Sequence, residues 1–266
     1  MAGSRCGNPG RMLDRRSSGD APRAREPVSI VTINRNDAAG LERTLRSIRA
    51  LRALRPVEQV IVDGASTDGS LQVIAAEAPA GPGTVVVSEP DAGIYDAMNK
   101  GWRAARGRHV AFVNAGDEVL PEPFAAYLDF VSAGDADVYY AKTLVRDPRS
   151  GATRVHERHP DQLHRDTVPH LTTLTRRALL ERLGGFDERY RICADRDLFV
   201  RARSGAAGFR FFDEAVAVFE LGGASSQKHR TRLEDLQISG AHRLIGPWRY
   251  RIKRALLALQ ALRPGR

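Results

Sequence analysis

Short β-branched runs alternate along this chain with helix-period segments, and each run ends in a polar cluster. Val28 to Ile33 has the pattern of a buried strand, and Asp37 can cap a following helix with Leu41, Leu45, Ile48 and Leu51 at helical spacing. Val57 to Val62, Thr84 to Val87 and Val110 to Val113 read as three further strands. Helices are predicted between them, one through Leu71, Ile74 and Ala78, and one over 92–105 with Ile94, Met98, Trp102 and Ala105 on one side. This alternation predicts an α/β fold built on a doubly wound, mostly parallel sheet. Right-handed crossovers put the strand ends on one edge, and ligands of such sheets sit beyond the carboxyl ends of the strands. The polar clusters fall there: Asn34-Arg35-Asn36, Asp63, Glu89 with Asp91, and Asn114 to Asp117.

The second half is less regular. Residues 121–133 and 194–204 read as helices, and Ala178 to Leu183 as a short one stopped by Gly184-Gly185. Val138 to Val145 and Phe209 to Phe219 carry strand. Residues 146–169 are polar and loop-like, a lid candidate. Helical segments at 228–245 and 247–263 close the chain.

Charge placement narrows the partners. The formal charge is +9 over 266 residues. Residues 1–26 carry +3 and lack apolar periodicity, so they read as a disordered basic tail. Residues 241–266 carry +7 with no acid, which leaves the middle at −1. A nearly neutral body argues against a nucleic-acid groove, and the basic ends suit an anionic surface. Residues 247–263 mix Trp248, Tyr250, Ile252, Leu256 and Leu259 with five basic residues. That is the composition of an amphipathic helix, which either lies on anionic lipid or packs its Leu face on the domain. No apolar run approaches the roughly 20 residues that span a bilayer. The two cysteines, Cys6 and Cys193, form neither a disulfide framework nor a metal motif, which fits a reducing cytoplasm.

Six ordered segments carry a family resemblance: Ile30-Val31-Thr32 with Asn34, VIVDGASTDGS at 60–70, SEPDAGIYDAMNKG at 88–101, FVNAGDEVL at 112–120, GGFDERYRICADRDL at 184–198 and GGASS at 222–226. Together they resemble family-2 glycosyltransferases of the GT-A fold, including those of colanic-acid and exopolysaccharide biosynthesis. The resemblance spans about 27–240. It implies a donor half at 27–118 that binds a nucleotide-sugar, and an acceptor half at 119–240. Residues 241–266 then form a basic amphipathic appendage. The implied activity is inverting transfer of a sugar to an acceptor hydroxyl in cell-surface polysaccharide biosynthesis. The acceptor is a glycan or lipid-linked glycan. The enzyme is cytoplasmic, with peripheral contact to the inner face of the membrane.

Breaking the sugar–phosphate bond puts charge on a diphosphate, which a hard divalent cation, Mn2+ or Mg2+, stabilises through oxygen ligands. The resemblance makes Asp117 the metal ligand, although Asn114 and Gly116 stand where many relatives carry further acids. It makes Thr32, Asn34, Asp63, Gly93, Asn99 and Asn114 donor-binding, and His170 and Asp187 acceptor-side. The acceptor must lose a proton, and Asp195 aligns with the family's base. Asp197 is expected to pair with Arg201, four residues on. Asp68 reads as a turn residue, and Tyr95 and Met98 as core. The rival readings are a non-catalytic nucleotide-sugar-binding module and a sugar nucleotidyltransferase. A dinucleotide oxidoreductase ranks below both, because no G-x-G-x-x-G follows the first strand.

Overall fold

The structure, a computed structural model, describes residues 28–79, 81–222 and 228–261. The expected basic tail at 1–26 and most of the GGASS segment lie outside the described residues. The first half runs β1 (Val28–Asn34), α1 (Ala38–Leu54), β2 (Glu58–Asp63), α2 (Ser70–Glu77), β3 (Thr84–Ser88), α3 (Ile94–Ala104) and β4 (His109–Phe112). The second half runs β5 (Glu118–Val119), α4 (Pro121–Ser132), β6 (Val138–Arg146), β7 (Thr153–His156), β8 (Leu174–Arg176), α5 (Arg177–Leu183), α6 (Ala194–Ser204), β9 (Phe209–Glu220), α7 (Lys228–Ala241) and α8 (Pro247–Ala261).

Among the described residues the nine strands make one sheet, ordered β3-β2-β1-β4-β8-β6-β9-β5, with β7 on β6. Strands β3, β2, β1 and β4 are mutually parallel. The chain winds outward from β1 to β3 and then returns to place β4 on the other side of β1. The switch point therefore lies between β1 and β4, where a crevice opens at the carboxyl ends. Asn34 ends β1, and Asn114 follows β4 closely.

Alternation along β1 sets the two layers. Val31 and Ile33 face a cluster with Tyr95, Met98 and Trp102 of α3. Val28 and Ile30 face Ile48 and Leu51 of α1 and Phe124 and Tyr127 of α4. Leu41, Leu45, Ile48 and Leu51 are fully buried, each worth about 1.5–3 kcal/mol of apolar burial. Asp37 caps α1 by accepting from the Gly40 N–H at 2.9 Å. Gly101 lets α3 lie close to the sheet, since a Cβ there would stand 2.3 Å from Val31 Cγ1.

Three strands carried no readable signal. Strand β8 is a three-residue antiparallel joint that links β4 to β6. Strand β5 has two residues. Strand β7 is mostly exposed and pairs with the outer half of β6, so the expected 146–169 loop is partly a hairpin arm. Later in that segment Leu163 is buried, and its carbonyl accepts from the Arg196 guanidinium at 2.9 and 3.1 Å.

Candidate active site

The first wall of the crevice is built where β1 and β2 end side by side. Asn34 and Asp63 are register partners, and Asn34 Nδ2 donates to Asp63 Oδ1 at 3.0 Å. Asp63 Oδ2 accepts from the Ser66 N–H at 2.9 Å and from Ser88 Oγ at 3.2 Å. Burial pushes the Asp63 carboxyl up, but the hydrogen bonds from Ser66, Asn34 and Ser88 outweigh it and hold the group below its ordinary value. Three donors leave about one of its four acceptor positions for a ligand. Thr32 Oγ1 and Asn34 Oδ1 are buried without a partner on the same β1 face.

The stretch after β3 closes on this wall. Asp91 Oδ1 accepts from the Gly93 N–H at 3.0 Å and pairs with Arg35 at 3.6 Å. A Cβ on Gly64 would stand 2.0 Å from Asp91 Oδ2, so the Asp-Gly step after β2 admits that carboxylate. Gly93 precedes α3 with φ +134°, open to glycine alone. Asp68 ties the turns together by accepting from the Ala38 N–H and from Ser70.

The second wall follows β4. The turn Asn114 to Asp117 needs Gly116 at φ +95°, a conformation that would strain an acid at that position. Thr44 of α1 pins the turn: its hydroxyl lies 2.6 Å from the Asp117 carbonyl and accepts from the Gly116 N–H at 3.1 Å. Asp117 is 6% exposed. Burial pushes its carboxyl up to about 7, against the lowering pull of His170 and a backbone hydrogen bond at Asn114. Asn114 Oδ1 is a buried oxygen without a partner.

The acceptor half supplies His170 and Asp195. His170 opens a single 3-10 turn, His170–Thr172, just before β8. The unpredicted joint strand therefore carries this side chain to the sheet edge. Its Nε2 lies 3.2 Å from Asn114 Nδ2, and its Nδ1 lies 3.8 Å from Asp195 Oδ2, an ion-pair distance rather than a hydrogen bond. Burial pushes the His170 imidazole down, but Asp195 and then Asp117 outweigh that and hold it above its ordinary value. Asp195 lies in the first turn of α6 and is 7% exposed. Its Oδ1 accepts from the Arg196 N–H at 2.8 Å and lies 3.4 Å from the Tyr95 hydroxyl. Oδ2 is left facing His170.

Asp197, two residues on, turns away. It accepts from Arg201 and from His242 Nε2, each at 2.7 Å. The loop before α6 is held by Glu234 of α7, which accepts the N–H groups of Arg191, Ile192 and Cys193. Cys193 is buried, and burial pushes its thiol up, away from reactivity.

The structure thus gathers Asn114, Asp117, His170 and Asp195, and beside them Asn34 and Asp63. Two of the expected residues are committed elsewhere. Asn99 Nδ2 donates to the Phe186 carbonyl and to Glu188, and its Oδ1 accepts from Trp102 Nε1 and the Phe186 N–H. With both ends of the amide engaged, Asn99 is a bracket for the Gly185–Glu188 loop rather than a donor-facing group. The Asp187 carboxylate is bound by the Arg189 guanidinium at 2.6–3.0 Å. Sequence reasoning missed Tyr95, Thr44 and Glu234. Tyr95 reads as core, and Thr44 sits among Leu41, Leu45 and Ile48 with no signal of its own.

The residue set can be tested against a divalent cation. Among the described residues no group of three or more His, Cys, Asp or Glu is arranged to hold a metal. What is present is one buried carboxylate with a raised pKa, Asp117, and one unpartnered amide oxygen on Asn114. Those are hard oxygen donors, and they fit a cation that completes its shell with phosphate and water.

Comparison with known proteins agrees with this architecture. Residues 29–216 match the family model described as Glycosyl transferase family 2. An uncharacterized glycosyltransferase of Mycobacterium tuberculosis is 33% identical over 181 residues, which is 66% of this chain and 68% of that protein. A PGL/p-HBAD biosynthesis glycosyltransferase of Mycobacterium bovis is 32% identical over 205 residues, 74% of this chain and 78% of its own. Two solved structures share the fold. S. aureus TarS 1–349 in complex with UDP-GlcNAc aligns with a TM-score of 0.66 at 18% identity, over 87% of this chain and 70% of that one. The mannosyltransferase PcManGT from Pyrobaculum calidifontis, in complex with GDP-Man and Mn2+, aligns at 0.64 and 20% identity, over 92% and 78%.

Proposed function

The chain belongs to glycosyl transferase family 2, and we propose that it moves one sugar from a nucleotide-sugar donor to an acceptor hydroxyl, with inversion, in the cytoplasm at the inner face of the membrane. The observation that carries this reading is the meeting of Asn114, Asp117, His170 and Asp195 at the carboxyl edge of a parallel sheet. A binding module needs no buried carboxylate held with one free oxygen beside a histidine. The donor complexes of TarS with UDP-GlcNAc and of PcManGT with GDP-Man support a nucleotide-sugar. The PGL/p-HBAD biosynthesis relatives support a biosynthetic acceptor, and we take it to be a glycan or lipid-linked glycan of the cell surface.

The chemistry follows from the side chains. Asn34, Thr32 and the remaining acceptor position of Asp63 line the nucleotide side of the crevice. Asp117 with Asn114 Oδ1 would hold Mn2+ or Mg2+, and the Mn2+ in the PcManGT complex supports the use of a cation. When bound, such a cation neutralises charge on the departing diphosphate. Asp195 Oδ2 takes the proton of the attacking hydroxyl, while the Arg196 N–H holds Oδ1 in place and Tyr95, donating to the Ile192 carbonyl, fixes the loop before α6. His170 lies next to that oxygen and fixes the side from which the acceptor enters. One in-line displacement inverts the anomeric carbon.

Asp195→Asn tests the assignment. Transfer is expected to fall by about 10²–10⁴-fold, the usual worth of a general base, while donor binding persists. Wild-type turnover in that variant removes Asp195 from the role. Donor binding by the wild type with no transfer to any acceptor favours the non-catalytic reading. A thermal-shift panel of nucleotide sugars with and without Mn2+ identifies the donor.

A further inference from the structure

Helix α8 has two apolar sides, and the fold uses one. At 100° per residue, Tyr250 and Leu257 fall together on the side facing α7 and are half-buried there. A Cβ on Gly240 of α7 would stand 2.5 Å from the Tyr250 ring, so the contact is tight. Trp248, Ile252 and Leu259 fall on the opposite side and are 73%, 59% and 60% exposed. The domain therefore does not cover the stripe of Trp248, Ile252 and Leu259. Arg249 and Arg251 flank that stripe, both exposed, and Arg251 lies 5.5 Å above the Trp248 ring. Lys253 and Arg254 are exposed as well, and α8 contains no acid.

The inner side is also charged. Between α7, α8 and the 164–165 turn lies a cleft of about 400 Å³. Leu236, Ile245, Leu256 and Leu257 form its apolar lining, with Arg165, Arg232 and Lys253 around it, and its one lining acid, Asp235, pairs with Arg196 at 3.5 Å. Those three cations form no ion pair among the described residues. No helix among the described residues is long and apolar enough to cross a membrane.

We propose that the outer face of α8, with the basic cleft behind it, is a docking surface for an anionic lipid bilayer. The stripe enters the headgroup boundary, and the flanking guanidinium groups stay at the phosphate level. Charge complementarity selects the occupant. An apolar stripe bordered only by cations repels a second copy of itself and suits an anionic surface. This rests on the proposed function for its purpose, since it brings the acceptor half to a lipid-linked glycan. The binding itself needs neither donor nor turnover.

The test is co-sedimentation of the full chain with phosphatidylcholine vesicles, with and without phosphatidylglycerol, free of donor and acceptor. Wild type is expected to bind the anionic vesicles only, and high salt is expected to release most but not all of it. Trp emission is expected to shift to the blue on binding, because Trp248 is exposed while Trp102 is 7% exposed. Arg249→Gln with Arg251→Gln is expected to weaken binding roughly 25-fold, about fivefold per cation. Trp248→Ser with Ile252→Ser and Leu259→Ser is expected to abolish the residual salt-resistant part. Both variants are to keep the wild-type unfolding midpoint, and if the triple variant does not fold, the arginine pair decides. Absence of binding by wild type, or binding equal on neutral and anionic vesicles, overturns the proposal. So does a wild-type dimer in sedimentation that the triple variant converts to monomer. Transfer assays with a soluble acceptor are read separately, so failed docking leaves the transferase reading standing.

Discussion

His170 Nδ1 stands 3.8 Å from Asp195 Oδ2, while its Nε2 faces the Asn114 amide nitrogen at 3.2 Å. An amide NH2 only donates, so Nε2 accepts and the ring proton sits on Nδ1, toward Asp195. A doubly protonated ring requires the Asn114 amide to turn and present Oδ1, the oxygen now buried without a partner. The protonation of His170 and the orientation of Asn114 are thus one event. Burial alone lowers the imidazole, and Asp195 raises it. Asp195→Asn is therefore expected to bring the His170 midpoint below its present value, read by NMR titration of the ring. An unchanged midpoint shows that the two groups are not electrically coupled.

Tyr95→Phe removes a hydroxyl that lies 2.5 Å from the Ile192 carbonyl and 3.4 Å from Asp195 Oδ1. The single hydroxyl proton goes to the nearer Ile192 carbonyl, so the variant loosens the loop before α6 and reaches Asp195 through it. Steady-state kinetics are expected to show kcat down by about fivefold, the worth of a single neutral hydrogen bond, with donor KM little changed. A rise in donor KM alone would move Tyr95 out of the base's support.

Thr44→Val leaves the Asp117 carbonyl and the Gly116 N–H without their bridging hydroxyl. Urea unfolding is expected to show a loss of about 1–3 kcal/mol. Loosening the 114–117 turn is also expected to weaken Mn2+-dependent binding of nucleoside diphosphate, measured by calorimetry. Stability loss with unaltered affinity would confine Thr44 to the fold.

Chelation of divalent cation is expected to lower nucleoside diphosphate affinity in the wild type. In Asp117→Asn the same chelation is expected to change little, because the carboxylate proposed to hold the cation is gone. Equal sensitivity in both proteins assigns the cation to other residues.

His109 gives stability a pH dependence remote from the site. It is 2% exposed, and burial pushes its imidazole down to about 4 from 6.5. The unfolded chain binds the proton first, so the His109 contribution is intact above about pH 6.5 and is lost as pH drops toward 4, while the raised Asp117 carboxyl works in the opposite sense. That depression corresponds to about 3 kcal/mol. Urea unfolding of the wild type and of His109→Gln at pH 7 and pH 4.5 is expected to show less acid destabilisation in the variant, the difference between the two being the His109 share. An equal slope in the variant would place the titration on other groups.

Apolar periodicity and polar run-ends by themselves determined the parallel half of the sheet, its edge, and Asn34, Asp63, Asn114 and Asp117 along it. A strand buried on both faces and a helix with one apolar side are local properties, and they survive into the fold. Which polar residues share a site depended on long-range packing. The Leu174–Arg176 joint is too short to show a period, yet it carries His170 to Asn114. Asp195 and Asp197 look alike in sequence, but α6 turns one toward His170 and gives the other to Arg201 and His242. Asn99 fits the motif, yet the Gly185–Glu188 loop consumes its amide. The amphipathic character of α8 was written in the sequence. Only packing, with Tyr250 and Leu257 turned inward, decided that the Trp248–Leu259 face stays in solvent, because a helix can bury just the side that meets a neighbour.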